Sequence, residues 1–371
     1  MVFRKPTLEV LGMKLFGDIY RGKRVLITGH TGFKGSWLAL WLNELGAKVT
    51  GIALPPDTQP NHWELLELPM DSRQLDIRDA DAMQSLVYEI KPEMVFHLAA
   101  QPLVRRSYRD PINTWSTNVM GTVNLLEACR QQPGVQAIVA ITTDKCYENH
   151  EWPWGYREND RLGGHDPYSA SKAGAELVAD SYRHAFFTRD ISPLLATGRA
   201  GNVIGGGDWS EDRLVPDLIR ALENNQSLEI RSPQATRPWQ HVLESLSGYL
   251  LLGQRLLDGE KAFATAWNFG PEPEGNRTVA EVLGKLNQHW PSLRWHVTEK
   301  PQPHEATLLY LDSAKARSQL YWQPVWGIDT TLGKTADWYR ARLERKAIIS
   351  RAQLDEYIAD AARAQVKWAC P

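Results

Sequence analysis

Residues 23–35 read KRVLITGHTGFKG, a short apolar run followed at once by glycines in the pattern G-x-x-G-x-x-G. The run RVLIT predicts a buried strand, and apolar residues at helical spacing over 33–45 predict a helix. Glycine takes the dihedral angles of a sharp strand-to-helix turn without cost, and it lets the backbone approach a ligand closely. Free N–H groups at the start of the helix would stabilise a pyrophosphate. The stretch therefore predicts a dinucleotide-binding loop formed by Gly29, Thr31, Gly32, Phe33, Lys34 and Gly35.

Strands and helices continue to alternate after this loop. Strands are predicted at 48–54, 94–98, 136–143 and 192–197, and helices at 80–90, at 113–129 and from about Tyr168. Alternation of this kind indicates a parallel sheet that is covered by helices on both faces. The predicted fold class is therefore α/β, a doubly wound Rossmann-type sheet whose ligands bind at the carboxyl ends of the strands.

The regular pattern breaks beyond Gly198, where glycines and prolines become frequent. We predict an N-terminal extension over 1–20, a dinucleotide-binding domain over 21–198, and a mainly substrate-binding lobe over 199–371. A helix at 243–257 and a strand at 266–269 are regular enough for residues 241–270 to rejoin the first domain. The tail from 332 to 367 is helical by composition.

The overall composition excludes several classes of protein. Hydrophobic residues make up 43% and charged residues 23% of the chain, and the formal net charge is only -2. Neither sign dominates, which argues against a general nucleic-acid or membrane-surface binder. The three cysteines have no paired spacing, so neither a disulfide framework nor a metal site is expected, and a reducing, cytoplasmic compartment is. No apolar run approaches the length of a membrane span, and the N-terminus is a poor signal peptide.

The spacing of the glycine loop resembles that of the extended branch of the short-chain dehydrogenase/reductase superfamily. The second strand ends in Ala53-Leu54-Pro55-Pro56-Asp57, with no arginine to receive a 2′-phosphate and with the usual carboxylate missing or displaced to Asp57. NAD is therefore favoured over NADP. Resemblance to the superfamily places Asp76 and Ile77 against adenine. The small residues in Leu98, Ala99 and Ala100 suit a backbone that runs close to the cofactor.

Two clusters predict the chemistry. Tyr168 and Lys172 in YSASK share one face of a helix, so the phenol and the ammonium can reach the same substrate. A neighbouring cation favours the phenolate form of a tyrosine, which is otherwise a poor base at neutral pH. The second cluster, Thr143-Asp144-Lys145, follows a strand and places an acid beside a base. A dehydratase needs such a pair in addition to the hydroxyl, tyrosine and lysine of a simple dehydrogenase.

The motifs TGHTGFKGSW, HLAAQPLV, TTDKCYEN, PYSASK, RAGNVIGGGDW and RPWQHVLE resemble those of the CDP-glucose 4,6-dehydratases, in order from about residue 20 to residue 311. The resemblance implies that NAD⁺ oxidises the sugar at C4 with Tyr168 as base and Lys172 supporting it. It implies further that Lys145 removes the C5 proton and that Asp144 protonates the departing C6 hydroxyl. The product would be a 4-keto-6-deoxy sugar.

The same resemblance implies the remaining contacts. It places the substrate against Gln101, Arg199, Asn202, Arg237 and His304, with the arginines and Asn202 around the diphosphate. Helices such as 113–129 and 168–185 commonly pair across a two-fold axis in this superfamily, so we expect a homodimer held by a four-helix bundle.

Two other functions stay open at this point. One is an epimerase, or a dehydratase for a UDP- or dTDP-linked sugar, since an Asp-Lys pair also occurs in inverting UDP-dehydratases. The segment RPWQHVLE favours CDP as the nucleotide of the substrate. The other is a non-catalytic, NAD-sensing Rossmann protein, which would need none of Tyr168, Lys172, Asp144 and Lys145.

Overall fold

A seven-stranded sheet in the order β3-β2-β1-β4-β5-β6-β10 forms the centre of the computed structural model, which describes residues 14–298 and 308–370. Every neighbouring pair of strands in this sheet is parallel. The strands are β1 (Arg24–Thr28), β2 (Lys48–Ala53), β3 (Asp71–Gln74), β4 (Met94–His97), β5 (Ala137–Ile141), β6 (Leu194–Ala200) and β10 (Ala266–Phe269). The predicted fold class is confirmed.

Helices cover both faces of the sheet. The α-helices span His62–Leu66, Phe33–Glu44, Ala80–Ile90, Val104–Arg109, Pro111–Trp115, Gly121–Gln131, Pro167–Ala185, Leu214–Glu223, Val242–Leu257, Val279–His289, Ile328–Arg345 and Ser350–Arg363. Short 3₁₀ turns lie at Leu15–Asp18, Asp144–Cys146, Lys261–Phe263 and Pro273–Gly275, and π-helical turns lie at Ser116–Met120 and Ala316–Leu320.

Alternate residues of the central strands enter two separate cores, because successive side chains of a strand point to opposite faces. Val25 and Ile27 pack with the Phe33–Glu44 and Val242–Leu257 helices. Leu26, which lies between them, packs with residues of the Ala80–Ile90, Gly121–Gln131 and Pro167–Ala185 helices. This double burial explains why the strand sequences are almost continuously apolar rather than alternating.

The chain beyond residue 200 builds two smaller sheets and also adds one strand to the seven-stranded sheet. One contains β7 (Asn202–Ile204), β9 (Thr236–His241) and β11 (Asn276–Thr278), in the order β11-β9-β7. The other pairs β8 (Leu228–Ile230) with β12 (Trp295–Val297). Between them β10 pairs with β6, so the chain re-enters the large sheet after the Val242–Leu257 helix.

Three features differ from the sequence prediction. Strand β3 was not predicted, because it is a partly exposed edge strand with only polar residues. The predicted helix over 113–129 begins earlier, at Pro111, and includes a π-helical turn. The helical tail is two helices, because Lys346 adopts a left-handed conformation with φ +55 and ends the first of them. Over the described ranges, no helix is long and apolar enough to cross a membrane.

Candidate active site

A cavity of about 1490 Å³ opens at the carboxyl ends of the central strands. The strand order reverses between β1 and β4, which is where ligands bind in open α/β sheets. All predicted site residues within the described ranges line this cavity except Asp144 and Arg199. His304 lies outside the described residues.

The glycine loop has the geometry that a dinucleotide requires. Gly29 has φ +78, and an added Cβ there would lie 2.7 Å from the backbone nitrogen of Ala99. A Cβ on Gly35 would collide with the carbonyl oxygen of Gly29. Gly32 caps the Phe33–Glu44 helix without a side-chain hydrogen bond, so the first helical N–H groups remain available to an anion. These residues therefore fit a pyrophosphate at the start of the helix.

The adenosine end of the cavity contains carboxylates that are already engaged. Asp57 accepts a hydrogen bond of 2.8 Å from Arg106, whose helix follows β4. Asp76 pairs with Arg78, which also donates to Asn113 at 2.8 Å. The Arg78 contact holds the pKa of Asp76 below its usual value. Both carboxylates line the cavity, which fits the predicted position of adenosine.

Thr143, Asp144 and Lys145 follow β5 directly and form one hydrogen-bonded group. Asp144 is fully buried, and its Oδ1 accepts from Thr143 Oγ1 at 2.9 Å and from Lys145 Nζ at 3.3 Å. Its Oδ2 has no hydrogen-bond partner and lies towards Gly201, where an added Cβ would be 3.2 Å away. Lys145 also donates to Asn202 at 3.4 Å. The predicted acid and base are therefore in contact, with Lys145 on the cavity wall and Asp144 fully buried next to it.

The Tyr168 phenol lies close to the same group, because Thr143 and Asp144 both affect its pKa. Burial raises the pKa of Tyr168 to about 12, although Thr143 and the charge of Arg213 oppose the rise. Lys172 donates to the carbonyl oxygen of Ile141 at 3.1 Å, and burial lowers its pKa to about 8. The tyrosine is thus protonated at neutral pH in the isolated protein, and its conversion to a base requires a route for its proton.

Arg199 is placed differently from the prediction. Its guanidinium is buried and donates to Glu176 Oε2 at 2.7 Å and to the Tyr147 hydroxyl at 2.8 Å. Glu176 also accepts from Thr142 at 2.5 Å and from Thr197 at 2.8 Å. The structure therefore does not bring Arg199 to the cavity, because its charge is paired with Glu176 inside the core.

Several arginines of the cavity wall were missed by the sequence interpretation, among them Arg213 and Arg231. Arg213 lies four residues after the RAGNVIGGGDW motif and pairs with Asp208 at 2.8 Å, and Arg231 lies 3.7 Å from Asp212. Both line the cavity together with the predicted Arg237. The only sequence signal for Arg213 was its proximity to a glycine-rich turn, and Arg231 had none.

The Lys34 side chain contacts a residue outside the glycine loop, which was not predicted. Its amine points from the glycine loop towards Tyr249, with Nζ 3.4 Å from the hydroxyl. Burial and the nearby Arg213 cation lower the pKa of Lys34 to about 7.

Within the described ranges, no cluster of histidine, cysteine and carboxylate side chains could hold a metal ion.

Comparison with known proteins identifies the family. The GDP-mannose 4,6 dehydratase family matches residues 26–335. The CDP-glucose 4,6-dehydratase of Salmonella typhimurium is 50% identical over 355 residues, which cover 93% of this chain and 99% of that protein.

Solved structures agree with the fold. The dTDP-glucose 4,6-dehydratase DesIV of Streptomyces venezuelae, determined with NAD and TYD bound, is 25% identical with a TM-score of 0.72, covering 87% of this chain and 98% of that one. The epimerase Mth375 of Methanothermobacter thermautotrophicus has a TM-score of 0.79 at 24% identity, over 90% of this chain and 98% of that one. The sequence match, the sheet order and the glycine loop lead to one conclusion: the chain belongs to the GDP-mannose 4,6 dehydratase family.

Proposed function

We propose that the chain is an NAD-dependent CDP-glucose 4,6-dehydratase. The observation that carries this proposal is the contact of Asp144 with Thr143 and Lys145, which line the same cavity as Tyr168, beside a loop that fits a dinucleotide. The relative that shares 50% of its residues over nearly the whole chain supports CDP as the nucleotide. When bound, NAD would supply the hydride acceptor for oxidation at C4 and the hydride donor for reduction at C6.

Tyr168 and Lys172 carry the oxidation step. The phenol takes the proton of the C4 hydroxyl, and Thr143 contacts the same oxygen. The ammonium of Lys172 lies one helical turn further along and favours the phenolate. Tyr168→Phe removes the base, and we expect it to abolish reduction of the cofactor.

Asp144 and Lys145 carry the loss of water. A ketone at C4 acidifies the C5 hydrogen, which Lys145 removes from its position on the cavity wall. Asp144 gives a proton to the C6 hydroxyl as the C6–O bond breaks. Its unpartnered Oδ2 is buried but lies towards Gly201, a residue that lines the cavity.

The diphosphate is held, on this proposal, by the arginines of the wall rather than by Arg199. The cavity that contains the catalytic residues is also lined by Arg213, Arg231 and Arg237. Arginine suits the task because its forked donors match phosphate oxygens. Gln101 and Asn202 lie on the wall and are proposed to contact the sugar and diphosphate, as the resemblance implied.

Parallel assays with CDP-, UDP-, dTDP- and GDP-glucose test the substrate. We expect CDP-glucose alone to give the ultraviolet absorbance of a 4-keto sugar in base. Turnover of another nucleotide sugar with none of CDP-glucose would reassign the substrate. A 4-epimer product without water loss would favour the epimerase alternative.

We propose that the protein is a homodimer that pairs through the helices on one side of the sheet. The Pro167–Ala185 helix approaches the π-helical turn closely at Gly174, where a Cβ would lie 2.9 Å from Val119. Large apolar side chains remain exposed on this pair of segments, with Trp115 43%, Met120 51% and Leu177 61% exposed. Leu177→Arg should give a monomer by light scattering, whereas Tyr88→Arg, at an exposed apolar residue elsewhere, should not.

The domain division and the location stay predictions. The return of β10 to the large sheet supports the proposal that residues 241–270 belong with the dinucleotide-binding domain over 21–198 and that 199–371 mainly bind the substrate. The three cysteines are unpaired, which supports a reducing, cytoplasmic compartment.

A further inference from the structure

The loop over residues 208–213, DWSEDR, follows β7 and brings three carboxylates to a cavity wall that is rich in arginine. Asp208 pairs with Arg213 inside the loop at 2.8 Å. The other two carboxylates, those of Glu211 and Asp212, pair instead with arginines of other segments. The loop therefore places negative charge where the proposed function requires the binding of an anion.

Asp212 brings one carboxylate oxygen between two guanidinium groups. Its Oδ1 lies 3.5 Å from Nη1 of Arg105 and 3.7 Å from Nη1 of Arg231. Arg105 belongs to the Val104–Arg109 helix after β4 of the large sheet, whereas Arg231 directly follows β8 of a small sheet. All three side chains line the cavity. One negative charge thus bridges two cations that come from different parts of the fold.

A phosphate oxygen is attracted to the same position. Guanidinium groups bind phosphate as they bind carboxylate, with donor–acceptor distances of about 2.7–2.9 Å in a direct charge-assisted hydrogen bond. Both contacts of Asp212 are longer than this, and the three side chains are between 25% and 35% exposed. Ion pairs of this kind contribute little free energy. A diphosphate, which carries two negative charges, can therefore displace the carboxylate from both arginines.

The backbone of the loop is held by contacts that do not involve this carboxylate. Arg220 donates to the carbonyl oxygens of Trp209 at 2.7 Å and Ser210 at 3.0 Å. Asp212 itself has φ +57, a left-handed conformation that aspartate and asparagine adopt more readily than most other residues with a side chain. Replacement of Asp212 by asparagine therefore removes the charge and keeps the backbone conformation.

We propose that the Asp212 carboxylate competes with the substrate diphosphate for Arg105 and Arg231, and that the diphosphate takes over both arginines when it binds. The inference rests on the proposed function. Substrate and product carry the same diphosphate, so the competition weakens the binding of both to the same extent. Asp212 thus lowers the affinity for the nucleotide and speeds the release of the product.

Calorimetric binding of CDP, which carries the base and the diphosphate of the substrate, tests the competition in the wild-type protein, Asp212→Asn and Glu211→Gln. Glu211 is the matched control, because its replacement removes the same charge from the same loop. Its partner is Arg109 of the same helix, at 3.1 Å, and Arg109 is not among the described residues that line the cavity.

We expect Asp212→Asn to bind CDP about fivefold more tightly than the wild-type protein, since partly exposed ion pairs change an equilibrium constant by up to about that factor. Glu211→Gln should bind CDP as the wild-type protein does. The KM for CDP-glucose and the inhibition constant of the product should both fall in Asp212→Asn by the same factor as the CDP dissociation constant, without a rise in kcat.

Three results would overturn the competition. Weaker CDP binding by Asp212→Asn would mean that the carboxylate holds the arginines in place for the diphosphate. Unchanged binding would mean that the diphosphate does not meet Asp212. An equal gain in Glu211→Gln would reduce the effect to the net charge of the loop.

The choice of nucleotide is read from the wild-type protein alone, with CDP, UDP, dTDP and GDP in parallel. Tighter binding of another nucleotide than of CDP would refute the proposed substrate. The ratio between Asp212→Asn and the wild-type protein, measured with that nucleotide, would still decide the role of Asp212, because all four carry the diphosphate. A wild-type protein that binds none of them would refute both proposals.

Discussion

Replacement of Glu176 by glutamine should destabilise the protein and shift its pH dependence at the same time. The Glu176 and Arg199 side chains are 1% and 4% exposed, and they are 2.7 Å apart. Removal of one partner leaves the other charge buried and uncompensated, which costs about 3–5 kcal/mol of unfolding free energy. Glutamine still accepts hydrogen bonds from Thr142 or Thr197, so we expect a loss of about 3 kcal/mol, the lower end of that range.

The pH effect follows from the position of Glu176 one turn beyond Lys172. The Glu176 carboxylate raises the pKa of Lys172 against the larger lowering by burial, and the balance is about 8. Without that carboxylate the pKa of Lys172 falls, so the ammonium is lost at a lower pH. Because the ammonium supports Tyr168, the alkaline limb of the oxidation rate should move to lower pH.

Urea unfolding and the pH profile of nicotinamide reduction test these two effects separately. Glu272→Gln is the matched control, since its pair with Arg317 is 3.0 Å long but half-exposed, and such pairs contribute about 0–1 kcal/mol. Glu176→Gln combined with Arg199→Met should recover part of the lost stability. A loss as small as that of the control, or an unmoved alkaline limb, would refute the reasoning.

Three other predictions concern the cofactor, the base and acid stability. Lys145→Ala should still reduce the nicotinamide but not lose water, so reduced cofactor should accumulate and be visible in its absorbance. Gly35→Ala should abolish NAD binding in calorimetry, because its Cβ collides with the Gly29 carbonyl oxygen. As the pH falls below 6.5, the unfolding free energy measured by urea titration should decrease by about 3 kcal/mol per pH unit. Each of three buried histidines contributes a loss of about 1.4 kcal/mol per unit. Glu244, whose pKa is raised to about 7, offsets one of these losses. The three histidines are His62, His97 and His241, and burial lowers the pKa of each to about 3. They therefore stay neutral in the folded protein, whereas the same histidines of the unfolded chain gain protons.

The fold was predictable wherever burial on both faces dictated the sequence. Strands β1, β4 and β5 are almost entirely apolar, with Arg24, Thr28 and His97 as the exceptions. Strand β3 has no such signature, because an edge strand that is partly exposed needs no apolar residues. The small sheets beyond residue 200 are short, and only their pairing partners, far away in the sequence, fix them.

The site was predictable where the spacing of residues within one motif fixes their relative positions. The turn at 29–35 and the four-residue spacing of Tyr168 and Lys172 are local, so sequence alone determines them. The buried position of Arg199 could not be predicted, because its partner Glu176 lies 23 residues earlier, on another element, and nothing local shows that the two are buried together. Arg213 was missed for the same reason, since only the fold brings it to the cavity.

The Pro167–Ala185 helix explains why chemistry and stability are linked in this protein. Tyr168, Lys172 and Glu176 follow one another at intervals of four residues, so they lie in one row along the helix. The row leads from the cavity wall, through the ammonium, to a carboxylate that is fixed in the core by Arg199 and two threonines. The ends of β5 and β6 supply those partners, and the same end of β5 supplies Thr143 and Asp144. A substitution deep in this row therefore acts on the reaction through the charge of Lys172.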